Sequence, residues 1–154
     1  MNLTKTERLI LANQYRILEK LYPNESSYSN AAEIVTAGYT RLYRELPNQP
    51  HEEIPPAVCE EVTEILEMYR ALHPVCDKSF PGFDGNDEVP HYSYARFMIE
   101  DMGRWIEFKD DDINSHTAML PTYQAMLREW EASPSKVKLT EDDAARILKA
   151  GEDA

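Results

Sequence analysis

Cysteine is scarce in this chain: Cys59 and Cys76 are the only two among 154 residues, and they lack the CxxC spacing of a metal knuckle or a redox motif. So sparse a pair excludes a disulfide scaffold and fits a reduced, cytosolic protein. Glycine is nearly as rare, at five residues. No Walker loop and no GxGxxG occurs, so phosphate and dinucleotide sites of those types lose their sequence support. GxSxG and HExxH are missing as well, and with them the signatures of a serine hydrolase and a zincin. Long hydrophobic runs are absent too. The longest, Leu9 to Ala12, falls far short of the roughly 20 residues a membrane span needs. The opening segment Met1 to Glu7 has no apolar stretch of a signal peptide, and the expected location is the cytoplasm.

Positive charge is in short supply. Sixteen Lys and Arg stand against 28 Asp and Glu, for a net charge of −12 and an isoelectric point near 4.7. Nucleic-acid binding draws most of its affinity from cations that neutralise phosphates, so this balance argues against a DNA or RNA partner. It argues equally against anionic membrane surfaces.

What is present is helical periodicity in a chain of the size of one domain, 1–154, with an expected single core. Thr4-Lys5-Thr6-Glu7 reads as a capping box, opening a helix that runs to about Leu21 and stops at Tyr22-Pro23. Its apolar set, Leu9, Ile10, Ile17, Leu18 and Leu21, is wide enough to predict burial on more than one side. A second helix is predicted from Ser27–Ser29 through Ala31, Val35, Gly38, Tyr39, Leu42 and Leu46, with Gly38 placed mid-stripe to admit a neighbouring helix. Pro55 and Pro56 suit the first turn of a third helix, whose inward stripe is Val58, Val62, Ile65, Leu66, Tyr69 and Leu72. Its glutamates form a solvated face.

From Pro74 to Pro90 the periodicity ceases. That irregular stretch carries Phe80 and Phe83, which should pin it to the body, and it is the expected place for function. A fourth helix follows from Tyr92 to about Met102, with Gly103 as its stop. Trp105 to Phe108 alternates and predicts a short extended segment. A fifth helix spans Leu120 to Trp130, and a sixth begins at Thr140, with Leu139 stapled onto Ala144. The fold class is therefore all-α: about six helices and one long irregular loop near residues 74–91.

Candidate metal chemistry is thin. Asp84-x-Asn86-x-Glu88 and Asp110-x-Asp112-x-Asn114 both begin like calcium loops, but Val89 and Ser115 replace the required glycine, and Ala95 and Pro121 cannot supply the bidentate carboxylate. His73, Cys76 and His91 fall short of the four ligands of a structural zinc site. No metal and no cofactor is expected. His116, just before a helix, reads as a polar loop residue, with an acid–base role open only if a carboxylate such as Asp84 or Asp112 lies beside it.

Phe80-Pro81-Gly82-Phe83-Asp84-Gly85, Tyr94-Ala95-Arg96-Phe97-Met98 and Gly103-Arg104 together resemble the YfbU family of bacterial proteins. Arg8-Leu9-Ile10-Leu11, Asn13-Gln14-Tyr15, Glu67-Met68-Tyr69, Ala71-Leu72-His73, Tyr123-Gln124 and Met126-Leu127 with Trp130 continue the resemblance in order along the chain. The resemblance implies a mainly helical fold and self-association, and brings no reaction with it.

The residues themselves leave two roles for that region. Arg96, in an apolar helical stretch, is expected to pair with Asp84 as a structural latch. Alternatively Phe83, Asp84, Tyr94, Arg96, Arg104 and His116 line a pocket in which the arginines hold a small anion. The favoured function is a non-enzymatic, homo-oligomeric interaction or regulatory protein with a possible protein partner. The alternative is a binder or enzyme built on Gly82-Phe83-Asp84 with Arg96 and Arg104.

Overall fold

The computed structural model describes residues 2–154, and they are all-α. Six α-helices form: α1 (Lys5–Leu21), α2 (Ser26–Ala37), α3 (Pro56–Cys76), α4 (Val89–Arg96), α5 (Leu120–Glu131) and α6 (Glu141–Glu152). Short 3-10 turns occupy Thr40–Glu45 and Ile106–Phe108, and a π-turn, Phe97–Asp101, prolongs α4. Among the described residues no strand forms beyond an isolated parallel bridge between Phe83 and Asn114. The chain divides into two compact units, Met1–Glu52 and Glu53–Ala154.

The first unit is a helical hairpin. The Thr4 hydroxyl accepts from the Glu7 amide and the Glu7 carboxylate takes the Thr4 N–H, so the predicted capping box starts α1. Ala12 and Tyr15 from α1 pack with Ala31, Ala32 and Val35 of α2, and with Tyr43 and Leu46 beyond it. Two expectations need correction here. The α1 residues Leu9, Ile10, Ile17 and Leu21 are not buried but exposed. Moreover, α2 ends at Ala37, because Gly38 adopts the left-handed conformation (φ +79°) and serves as the C-cap. A close approach does exist at Gly38, made by a guanidinium. A Cβ there would lie 2.9 Å from Arg8 Cζ, and Arg8 donates to the carbonyls of Val35 (2.8 Å) and Thr36 (2.7 Å).

The second unit is organised on α3, which buries Val62, Ile65, Leu66, Met68, Tyr69, Ala71 and Leu72. Proline stands at its start, as predicted, but the helix also passes through Pro74 to Cys76. In the last turn that proline forfeits only the bond to the carbonyl four residues back, so the irregular stretch is shorter than periodicity implied and covers Asp77 to Glu88. α4 and α5 both carry proline in the first turn, and α6 begins with a second capping box, Thr140 with Asp143. Leu139 and Ala144 are buried beside it. Trp105–Phe108 is not extended: Trp105 has φ +46° and leads into the 3-10 turn, which buries Phe108.

Candidate functional site

The loop after α3 is held from within by aromatic packing. Phe80 and Phe83 are fully buried and meet Tyr69 and Tyr123 with ring centroids 5.3 to 6.0 Å apart. Edge-on and stacked contacts of this kind stabilise beyond the area they bury. Burial pushes the Tyr69 and Tyr123 phenols well above their ordinary range. The Tyr123 hydroxyl donates to the Gly82 carbonyl, so it is a fixed donor.

Gly82 is required at this point. It has φ +87°, and a Cβ would fall 2.0 Å from the Ile113 carbonyl oxygen. That proximity lets the Phe83 N–H donate to Ile113 O (3.0 Å) and the Ser115 N–H to Phe83 O (3.1 Å). The two acidic segments that resembled calcium loops are thereby laid side by side. Three of their oxygens are engaged by backbone N–H groups: Asp84 Oδ1 accepts from Asn86 (2.8 Å), Asp112 Oδ1 from Asn114 (3.0 Å), and Asn114 Oδ1 from Gly85 (3.1 Å) and His116 (3.2 Å). Among the described residues no cluster of three His, Cys, Asp or Glu is placed to hold a metal.

The predicted site residues do not converge. Phe83 and Asp84 are buried in the loop's own packing. Arg96 is exposed and pairs with Glu100 at 3.2 Å, and hydrogen bonding to Tyr92, with that carboxylate, raises its pKa further. The Asp84–Arg96 latch is therefore not formed; Asp84 is engaged by Asn86. Tyr94 lines a cavity with Cys59, Glu60, Thr63 and Glu64, whereas Arg104 lines a separate one of about 470 Å³ with Arg70, Trp105, Glu67 and Glu107. His116 is exposed, with φ +55°.

The residue that does lock the region is Glu88, which sequence inspection considered only as a calcium ligand. It is 5% exposed. Its Oε2 accepts from Asp84 N–H (2.9 Å), and its Oε1 from the N–H groups of Met119 and Leu120, both at 2.7 Å. One carboxylate thus closes the loop and caps α5, which has no cap from its own neighbouring side chains. Nearby, His91 Nε2 lies 3.0 Å from Glu61 Oε2, and Gln124 donates to the other oxygen of Glu61 (2.9 Å). Position 88 reads as an ordinary acidic residue before a helix, and nothing local marks its reach to Met119.

Two features of the first unit stand out from this structural fastening. Leu9, Ile10, Ile17, Leu21 and Tyr22 are between 51% and 65% exposed. On a helical projection Ile10, Ile17 and Leu21 share a stripe with Thr6, Asn13 and Gln14, opposite the face that buries Ala12 and Tyr15. No charge falls within that stripe. Along another edge of α1 lies a cavity of about 220 Å³ lined by Lys5, Arg8, Leu9, Ala12 and Arg16, with Val35 and Thr36 of α2.

Comparison with known proteins covers nearly the whole chain. The YfbU domain model matches residues 1–150. A curated relative from Methanocaldococcus jannaschii, described as a UPF0304 protein, is 34% identical over 168 residues of alignment, covering 96% of this chain and 99% of the relative. Neither description names a reaction, a ligand or a partner.

Proposed function

The chain belongs to the YfbU family, and on that premise we propose that it acts as a self-associating, non-enzymatic interaction protein whose first contact is with a second copy of itself. The observation that carries this reading is the uncharged, exposed stripe of α1. Two chains of net charge −12 repel one another, so they can meet closely only where neither presents a carboxylate. The α1 stripe meets that condition.

Its sequence is also self-complementary. In an antiparallel pair of α1 helices about a two-fold axis, Ile10 faces Leu21 of the second copy and Gln14 faces Ile17, giving an isologous contact. Taking roughly 80 Å² of accessible surface for each of the six stripe side chains, the pair covers about 1,000 Å², the threshold a specific interface must clear. The test is light scattering on the purified chain. The wild type is expected at twice 17.8 kDa, and Ile17→Glu at the single-chain mass with its helix content kept, because Ile17 is exposed in one copy. A wild type that stays at 17.8 kDa up to ~100 μM, or an oligomer indifferent to Ile17→Glu, would overturn the reading.

The alternative, an anion held by the Gly82-Phe83-Asp84 loop with Arg96 and Arg104, has less support. The loop's polar groups are engaged internally, Arg96 is paired, and the cavity beside Arg104 already contains Glu67 and Glu107, both bound to Arg70. Arg104 is the one member of that set still facing an open cavity.

A further inference from the structure

Three of the 16 basic residues in this acidic chain converge on the 220 Å³ cavity of the first unit, and no carboxylate lines it. Such a concentration sets a positive field in a largely negative molecule, and a concave wall of low dielectric focuses it. Lys5 and Arg16 are eleven residues apart, three helical turns, so they stand on one edge of α1 above and below Ala12. Arg8 stands a turn from Lys5, its guanidinium fixed by the carbonyls of Val35 and Thr36, with donors left over.

Lys5 and Arg16 form no ion pair among the described residues. Glu7, the acid nearest Lys5 in sequence, is turned to the Thr4 N–H and hydroxyl, both at 2.7 Å, and Glu19, the acid nearest Arg16, does not line the cavity. The cavity therefore holds two cations that make no ion pair among the described residues and a third that is anchored and still able to donate, against an apolar wall of Ala12 and Val35.

The structure assigns to this cavity a small oxyanion of two negative charges with a short carbon body, a phosphate monoester or a dicarboxylate. Two free cations with an anchored guanidinium between them suit a dianion, which a planar guanidinium grips in a fork and an ammonium holds as a point charge. The volume lies below the roughly 300–1,000 Å³ of pockets that bury drug-sized ligands, which favours a ligand smaller than a nucleotide. The apolar wall suits a few carbons.

Isothermal titration of the full chain at low salt tests this with inorganic phosphate, glycerol 3-phosphate and succinate. Saturable binding with a Kd below ~1 mM is expected, weakening as salt is added, and the tighter of glycerol 3-phosphate and succinate identifies the class. Lys5→Gln and Arg16→Gln, both exposed positions, are each expected to weaken it about tenfold or more. Lys20→Gln and Arg104→Gln should leave it unchanged. Ile17→Glu should also leave it unchanged, so failure of the self-association reading and failure of this one are separable. The proposal is overturned if none of the three probes saturates by ~10 mM, if the Lys5→Gln, Arg16→Gln double variant binds like the wild type, or if Lys20→Gln is as damaging as Lys5→Gln.

Discussion

Glu88 offers the sharpest test of how the second unit is fastened. Its carboxylate receives three backbone N–H groups, from Asp84, Met119 and Leu120, and it is buried. Hydrogen bonds to a charged acceptor contribute about 1.5–3 kcal/mol each, and leaving a buried donor unsatisfied costs about 1–3 kcal/mol. The three bonds share one anchor and do not add fully, so Glu88→Ala should destabilise by ~3–6 kcal/mol, a large part of the roughly 5–15 kcal/mol typical of a domain. Glu88→Gln separates charge from shape. Its amide oxygen can keep the bonds to Met119 and Leu120, but its NH₂ then faces the Asp84 N–H, for an expected loss of ~2 kcal/mol. Urea unfolding reads both: with m near 1–3 kcal/mol/M, the midpoint should fall by about 1 M for the Gln variant and by more for the Ala variant. A Gln variant within ~0.5 kcal/mol of wild type, or equal losses for Gln and Ala, would refute the anchoring role of the carboxylate.

Two further outcomes follow from the same geometry. Gly82→Ala must relieve a Cβ placed 2.0 Å from Ile113 O at φ +87°, so it should break the Phe83–Ile113 pairing and cost ~3 kcal/mol or more, whereas Gly103→Ala, with no atom within 4 Å, should cost only ~1 kcal/mol; similar melting temperatures for the two would refute this. Asp143 is held below the usual carboxylate range by its bonds to the Thr140 hydroxyl and N–H, with help from Arg146, and Glu7 is lowered by the matching bonds to Thr4. A folded pKa below the unfolded one gives stability that is complete above the ordinary carboxylate pKa, ~4, and lost as pH falls through the folded value. Thermal melts between about pH 6 and pH 3 should therefore drop less steeply for Asp143→Asn than for wild type, from a lower starting point, and parallel curves would refute the assignment.

The parts of this protein legible in its sequence are those governed by neighbours a few residues apart. Thr4 with Glu7 started α1, prolines 55 and 56 marked the start of α3, and a 3.6-residue period called the helical class correctly, because caps, ring constraints and amphipathic faces are local matters. Periodicity could also say that α1 has apolar residues on more than one side. It could not say what those residues meet, since the chain buries Ala12 and Tyr15 and leaves Ile10, Ile17 and Leu21 exposed. Where the local signal was ambiguous, conformation was decided by tertiary contact: Gly38 ended a helix beneath the Arg8 guanidinium, and Trp105 took a left-handed backbone before a 3-10 turn that buries Phe108. The candidate site shows the limit most clearly. Sequence alone led to the expectation that Asp84, Arg96 and Arg104 gather at the aromatic loop. Only the folded chain decided that Asp84 turns to Asn86, Arg96 to Glu100, and that Glu88 spans 31 residues to Met119, because a charged group takes the nearest partner the fold presents, and that distance is set in space.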